Sequence, residues 1–189
     1  MKKIFPILFI SLFIFSCGEN FIEEISHRKD YLDRDIKIVK YYRLSDEKKE
    51  LVKQIEYFVG GNICSEKFYK NSELHGICTN YWYNNNKVDE VNYINGLKDG
   101  FYKSWNKDGT LRSEEHYKNG SLNGKSTFWW SPGIPKSVCN YKDGEIDGEE
   151  IRYFDNGSIW LKQNFKNGVG IGEWIEYNLD GSIKQKGTW

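Results

Sequence analysis

Two clusters in this sequence carry residue types that could do chemistry. Cys64, His75 and Cys78 are zinc-ligand types, and Glu114-Glu115-His116 are the types that move protons. The first cluster lacks a fourth ligand, and His75 falls near an expected turn, so no metal is assigned. The second lies in an expected strand, where adjacent side chains point to opposite faces, and it reads as a solvated charged surface. No serine stands in a nucleophile elbow, and the glycines are turn residues, not a phosphate-binding loop. No catalytic residue and no cofactor are therefore assigned, and the expectation is a protein that binds. A disulfide between Cys64 and Cys78 needs both side chains on one face. A two-residue turn at Asn71-Ser72 sets Cys64 opposite Thr79 and sends Cys78 to the other face, although one bulge would reverse that parity. Cys139 lies several strands away and reads as a buried or half-buried thiol.

Cys17 has a different chemistry. Lys2 and Lys3 precede an apolar stretch from Ile4 to Phe15, broken only by Pro6 and Ser11. Spanning a bilayer takes about 20 apolar residues, so this stretch is too short to cross and suits a signal peptide. It ends in Ile14-Phe15-Ser16-Cys17, which resembles the bacterial lipobox: an aliphatic residue, a variable one, a small one, then the cysteine that accepts the acyl chain. The resemblance implies that residues 1–16 are a lipoprotein signal peptide and that Cys17 carries a lipid anchor. It also implies a place in the bacterial cell envelope. Residue 18 is Gly and not Asp, which favours the outer over the inner membrane. Residues 17–35, polar and unpatterned, read as a tether.

The strongest signal lies downstream. Stepping by twelve from Tyr57 gives Tyr69, Tyr81, Tyr93, Trp105, Tyr117, Trp129, Tyr141, Tyr153, Phe165, Tyr177 and Trp189, every one aromatic. Against an aromatic content of 16% this run is not accidental. Glycines recur every twenty-four residues, at Gly76, Gly100, Gly124, Gly148 and Gly172 in one register and at Gly96, Gly120, Gly144 and Gly168 in another. A further register holds Gly109, Gly133, Gly157 and Gly181. The unit is thus twenty-four residues, built of two twelve-residue halves that each hold a strand and a turn.

The turns are of two kinds. Asn119-Gly120, Asp143-Gly144 and Asn167-Gly168 suit two-residue type I′ hairpins, which need positive φ at both central residues. Asn106-Lys107-Asp108-Gly109 and its equivalents suit a longer turn with a bulge at the Gly. Ser131-Pro132-Gly133 departs from this pattern, and Pro135 should weaken its ladder. Gly124 is expected to face Glu115, with the Tyr117 ring lying over it. Upstream, Ile36 to Leu44 and Leu51 to Phe58 read as another hairpin around a polar turn at Ser45 to Glu50. Residues 36–189 are therefore expected to be all-β, an elongated single-layer antiparallel meander of about thirteen strands.

The run Tyr117-x-Asn119-Gly120-x-x-x-Gly124-x-x-x-x-Trp129 resembles the MORN repeat, in the bacterial variant of YwqK-type proteins that are often labelled antitoxins. The resemblance covers roughly residues 57–189. It implies a β-ribbon that makes protein or membrane contacts, with no shared catalytic residue. One departure is clear: where the usual repeat has a second glycine, this chain has Cys78, Tyr102, Ser126, Glu150 and Trp174.

The twelve periodic aromatics are expected to pack across strands. Trp82, Trp130, Trp160 and Trp174 stand outside that register and are the candidate binding surface, although a second packed face would also account for them. A net charge of zero gives no reason to expect nucleic acid as a partner. The expected contacts are the membrane, through lipid on Cys17, and another protein. A glycan is the alternative partner, because aromatic-glycine hairpins resemble choline- and glucan-binding repeats; neutralising a partner as an antitoxin or immunity protein is a third reading.

Overall fold

The computed structural model describes residues 9–16, 19–30, 34–45 and 48–189, with side chains from residue 21 onward. Cys17 lies outside the described residues. The chain divides into two compact units, residues 1–88 with 93–96, and residues 89–92 with 97–189. The described residues form strands and turns, with no helix.

In the first unit the strands are β1 (Phe9–Ser16), β2 (Glu19–Lys29), β3 (Asp35–Ser45), β4 (Lys48–Tyr57), β5 (Ile63–Lys70), β6 (Glu73–Leu74) and β7 (Gly76–Tyr81). β8 (Lys87–Ile94) contributes to both units. The second unit holds β9 (Leu97–Trp105), β10 (Leu111–Lys118), β11 (Ser121–Leu122), β12 (Gly124–Ser131) and β13 (Ile134–Lys142). It continues with β14 (Glu145–Tyr153), β15 (Ile159–Lys166), β16 (Val169–Tyr177) and β17 (Ile183–Thr188). Within each unit the pairing is antiparallel and follows chain order. Taking β6 with β7 and β11 with β12, thirteen strands run from Asp35 to Thr188, as the repeat predicts.

Both turn types form as their sequences require. Asn119 and Gly120 have φ of 48° and 85°, and Asn167 and Gly168 have 48° and 74°, the double positive φ of a two-residue hairpin. The other turns close with a backbone pair such as Phe154 N to Ser158 O at 2.8 Å, with Gly157 at φ 86°. Beyond each of these turns one residue is extra. Tyr153 opposes Ile159 and Arg152 opposes Leu161, so Trp160 is bulged out of the ladder. Pro135 opposes Trp129 with register shifts on both sides, the local weakening that its missing N–H dictates.

Two sequence expectations need correction. Within residues 17–35, expected to be an unpatterned tether, Glu19–Lys29 is a strand that pairs residue for residue with β3, from Asn20 opposite Leu44 to Lys29 opposite Asp35. The apolar members Phe21, Ile22 and Ile25 are half-buried there, too few to announce a strand by alternation. Nor does Gly124 face Glu115. Tyr117 opposes Leu122 while Glu114 opposes Thr127, so Asn123-Gly124 is a two-residue bulge. On its other side Gly124 opposes Tyr141 of β13, and a Cβ there would lie 3.4 Å from that of His116.

The bulge has a purpose in the backbone. The amide of Gly144, in the next hairpin turn, donates to the Leu122 carbonyl just before the bulge at 2.8 Å. The same hook joins Gly120 to Lys98 and Gly168 to Ile146, at 2.8 and 2.9 Å. Asp99 and Asp147 reinforce it, each accepting from a turn backbone amide, Asn119 or Asn167, and from a lysine, Lys118 or Lys166.

Burial in the first unit is mixed, with Ile36, Val39 and Ile55 beside Glu56, Ser65 and Thr79, and it is largely polar in the second. Ser126, Cys139, Glu150 and Gln163 stand opposite one another in successive strands and are all buried. Ser104 and Ser113, also buried, share a hydrogen bond of 2.7 Å. Eleven of the twelve periodic aromatics are half-buried, and Trp189, at the chain end, is 62% exposed.

Gly124, at φ +108°, holds a conformation that side chains resist. Gly124→Ala is expected to cost about 1–3 kcal/mol, seen as a lower urea midpoint with an unchanged far-ultraviolet spectrum. An unchanged midpoint would remove the bulge from the account of the repeat.

Candidate functional site

Trp130 and Trp160 come from successive hairpins of the second unit and line one cleft of about 280 Å³ with Lys136, Ser137, Glu150, Arg152 and Tyr153. Trp130 follows the periodic Trp129 and sits at the start of the irregular Pro132-Gly133 turn. Its indole N–H donates to the carbonyl of Tyr153 at 3.0 Å, tying one hairpin to the next. The Lys136 ammonium lies 4.3 Å from the centre of the Trp130 ring, a cation–π contact.

Trp160 owes its position to its bulge, which takes it out of strict alternation. Its indole N–H donates to Glu176 Oε1 at 3.2 Å, and Glu176 stands opposite Leu161. Phe154 packs on Trp160 at 6.3 Å between ring centres. Hydrogen bonds from Lys184, Trp160 and Gln185 hold the Glu176 carboxyl below its ordinary pKa, so it stays an acceptor. Although both rings are fixed by their own N–H groups, Trp130 is 47% and Trp160 38% exposed.

The floor of the cleft is charged. Arg152 donates through Nε and Nη2 to the two carboxylate oxygens of the buried Glu150, at 2.9 and 3.3 Å, and Gln163 Nε2 donates to the same carboxylate. Beside it, burial first, and then the contact with Cys139, pushes the Tyr141 hydroxyl well above its ordinary pKa. Burial also raises the Cys139 thiol, so both stay neutral near pH 7.

Trp82 lies elsewhere, in a cleft of about 580 Å³ of the first unit with Arg28, Phe58, Cys64, Tyr81 and Val88 among its walls. Among the described residues its buried indole N–H has no hydrogen-bond partner. Arg28 reaches this cleft while bonded to Glu56 at 2.8 Å. Trp174 is not an open contact residue: its half-buried ring lies over Gly187, where a Cβ would come within 2.8 Å. The structure thus joins two of the four candidate tryptophans and separates the other two.

The chemistry-bearing clusters are dispersed. Glu114 pairs with Lys103 at 3.5 Å, Glu115 accepts from the Tyr117 hydroxyl at 3.0 Å, and His116 Nδ1 contacts the Lys125 carbonyl at 2.9 Å. Cys64, Cys78 and Cys139 are free thiols, and among the described residues no group of three or more His, Cys, Asp or Glu could hold a metal ion.

Lys136 and Arg152 escaped the sequence reading, yet a signal for Lys136 exists. The bulged residue stands three positions after the longer turn's positive-φ glycine, giving Cys64, Arg112, Lys136, Trp160 and Lys184 in one slot of the twenty-four-residue repeat. Likewise Phe58, Trp82, Trp130 and Phe154 share one slot of the repeat, so Trp82 and Trp130 follow a second register.

Residues 98–119 and 146–167 match the MORN repeat variant family. No curated protein matches the chain. MORN repeats are generally non-catalytic and associated with binding or scaffold roles. The two matched segments lie two repeats apart, and the intervening repeat carries Trp130, Pro132, Pro135 and Lys136. The cleft therefore forms where an irregular repeat meets a regular one. Ser126 and Glu150 of the buried row share one slot of the twenty-four-residue repeat with Trp174.

Glu56 yields a pH prediction. Burial raises its pKa, but Lys67, Arg28 and Gln54 together outweigh that, and the net value falls below the ordinary 4.5. A lowered folded pKa gives stability that is present above 4.5 and lost as pH falls through the folded value. Glu56→Gln should therefore flatten the acid limb of a stability-against-pH curve below pH 4.5. An unchanged limb would show that the ion pairs of Glu56 do not matter there.

Proposed function

We propose that this chain is a non-catalytic binding repeat, held at the bacterial envelope by lipid on Cys17, that presents the Trp130–Trp160 face to another protein. The observation that carries the binding reading is the pair of tryptophans, each fixed by its own N–H yet more than a third exposed. Both side chains are positioned by polar contacts of their own and stand side by side at the surface of one cleft, an arrangement that the twelve-residue periodicity does not require. Rigid, exposed aromatics give large contact area at small entropic cost, which is how protein interfaces concentrate their energy. The anchoring part rests on the lipobox-like run Ile14 to Cys17.

For binding, the lipid-free chain is used to retain partners from envelope extract. Replacing Trp130 and Trp160 by Ser should reduce retention about tenfold or more while the chain stays folded, with a urea midpoint lowered only by the loss of the two indole hydrogen bonds. Trp174→Ser should instead lower stability by about 2–4 kcal/mol, because its ring packs on Gly187. Unfolding of the first variant, or full retention by it, would refute the assignment of this face.

For anchoring, Cys17→Ala should leave unprocessed precursor and abolish fatty-acid labelling. A variant that matures and labels normally would exclude the lipid.

A further inference from the structure

We infer that the Trp130–Trp160 cleft receives an acidic peptide segment of the partner, one carboxylate side chain seated beside one aromatic side chain. This rests on the binding reading above and specifies the chemistry of what is bound. Size is the first argument. At about 280 Å³ the cleft is slightly smaller than the roughly 300–1,000 Å³ usual for a drug-sized ligand. It has room for one or two side chains.

The second argument is the kind of polar group on offer. Lys136 is exposed and, among the described residues, has the Trp130 ring as its neighbour and no carboxylate. Arg152 spends Nε and Nη2 on Glu150, and among the described residues Nη1 keeps its two donors. Glu150, the one acid lining the cleft, has its oxygens taken by Arg152 and Gln163. The charged groups facing a ligand therefore donate and do not accept. A carboxylate only accepts and so matches these charged donors, while the Ser137 and Tyr153 hydroxyls of the lining, which donate and accept, would serve either ligand. The cleft also carries one positive charge that no side chain balances, since Arg152 and Glu150 cancel while Lys136 stands alone.

The third argument concerns what lies beside the anion. Lys136 already stacks on Trp130, so a carboxylate that approaches its ammonium is led to the edge of that ring. The exposed Trp160 ring stands across the same cleft, held by Glu176 and Phe154. An aromatic side chain adjacent to the carboxylate would pack there in an offset or edge-on contact.

The test is calorimetric titration of the full chain with acetyl-Gly-Asp-Phe-Asp-Gly-amide and with the same peptide carrying Asn for Asp. The acidic peptide should bind at least tenfold more tightly than its amide counterpart, and its affinity should fall as salt is raised. Lys136→Met should weaken it at least fivefold and Lys136→Arg should restore most of it, both with the wild-type urea midpoint. Equal affinity for the two peptides, no heat from the acidic one at millimolar concentration, or indifference to Lys136→Met would each overturn the inference. So would binding of a neutral N-acetylglucosamine tetramer in place of the peptide. The two readings fail separately. Partner retention that depends on Trp130 and Trp160 but shows no acidic-peptide binding refutes the ligand alone, and retention indifferent to both tryptophans refutes the face.

Discussion

One hydrogen bond organises the second unit: the amide of a turn glycine reaching back to a carbonyl of the preceding hairpin, as Gly144 reaches Leu122 and Gly168 reaches Ile146. A flat, regular ladder could not make it, because carbonyls in a regular strand are consumed by the adjacent strand. The carbonyl is turned out by a two-residue bulge, and the bulge needs a residue at positive φ, which is why Gly124 and Gly148 recur. Glycine spacing, turn type and strand register are therefore three views of a single constraint. Asp147, within such a bulge, and Asp99, at the matching place in the repeat, bind the following turns, adding side-chain bonds along the same path.

With successive hairpins fixed through their backbones, side chains are released from part of the work of holding the sheet together. The buried row of the second unit reflects this. It is built from Ser126, Cys139, Glu150 and Gln163, where a sandwich or barrel would place valine and leucine. Burying Glu150 is tolerated because Arg152 and Gln163 satisfy its carboxylate. The aromatic periodicity supplies most of the apolar surface, in half-buried rings near the strand ends.

Much of this was legible in the residues. Period twelve in aromatics and period twenty-four in glycines implied the strands, and Asn-Gly and Asp-Gly implied the turns, because only certain residues tolerate positive φ. Three things were not legible. The bulge at Asn123-Gly124 was hidden because a glycine explained by a bare face and one explained by its φ look alike in sequence. Strand β2 was hidden because Ser26, His27 and Arg28 give no alternation, and its pairing with β3 depends on a distant partner. The cleft was half hidden: Trp130 and Trp160 stood out as extra aromatics, while Lys136 and Arg152 resembled any surface charge until the bulges brought them beside the rings.

The glycine hook also sets how such a chain can grow. Each hook joins residues twenty-two apart, as Gly144 and Leu122 are, so every added repeat is stabilised by its neighbour and by nothing remote. Contact order therefore stays low however many repeats accumulate, and folding can start at any hairpin and spread. Length can change only in whole modules, since a partial insertion would separate a turn glycine from its carbonyl. A repeat such as the one carrying Pro132 and Pro135 can then diverge alone, its irregularity confined to the two hairpins it touches.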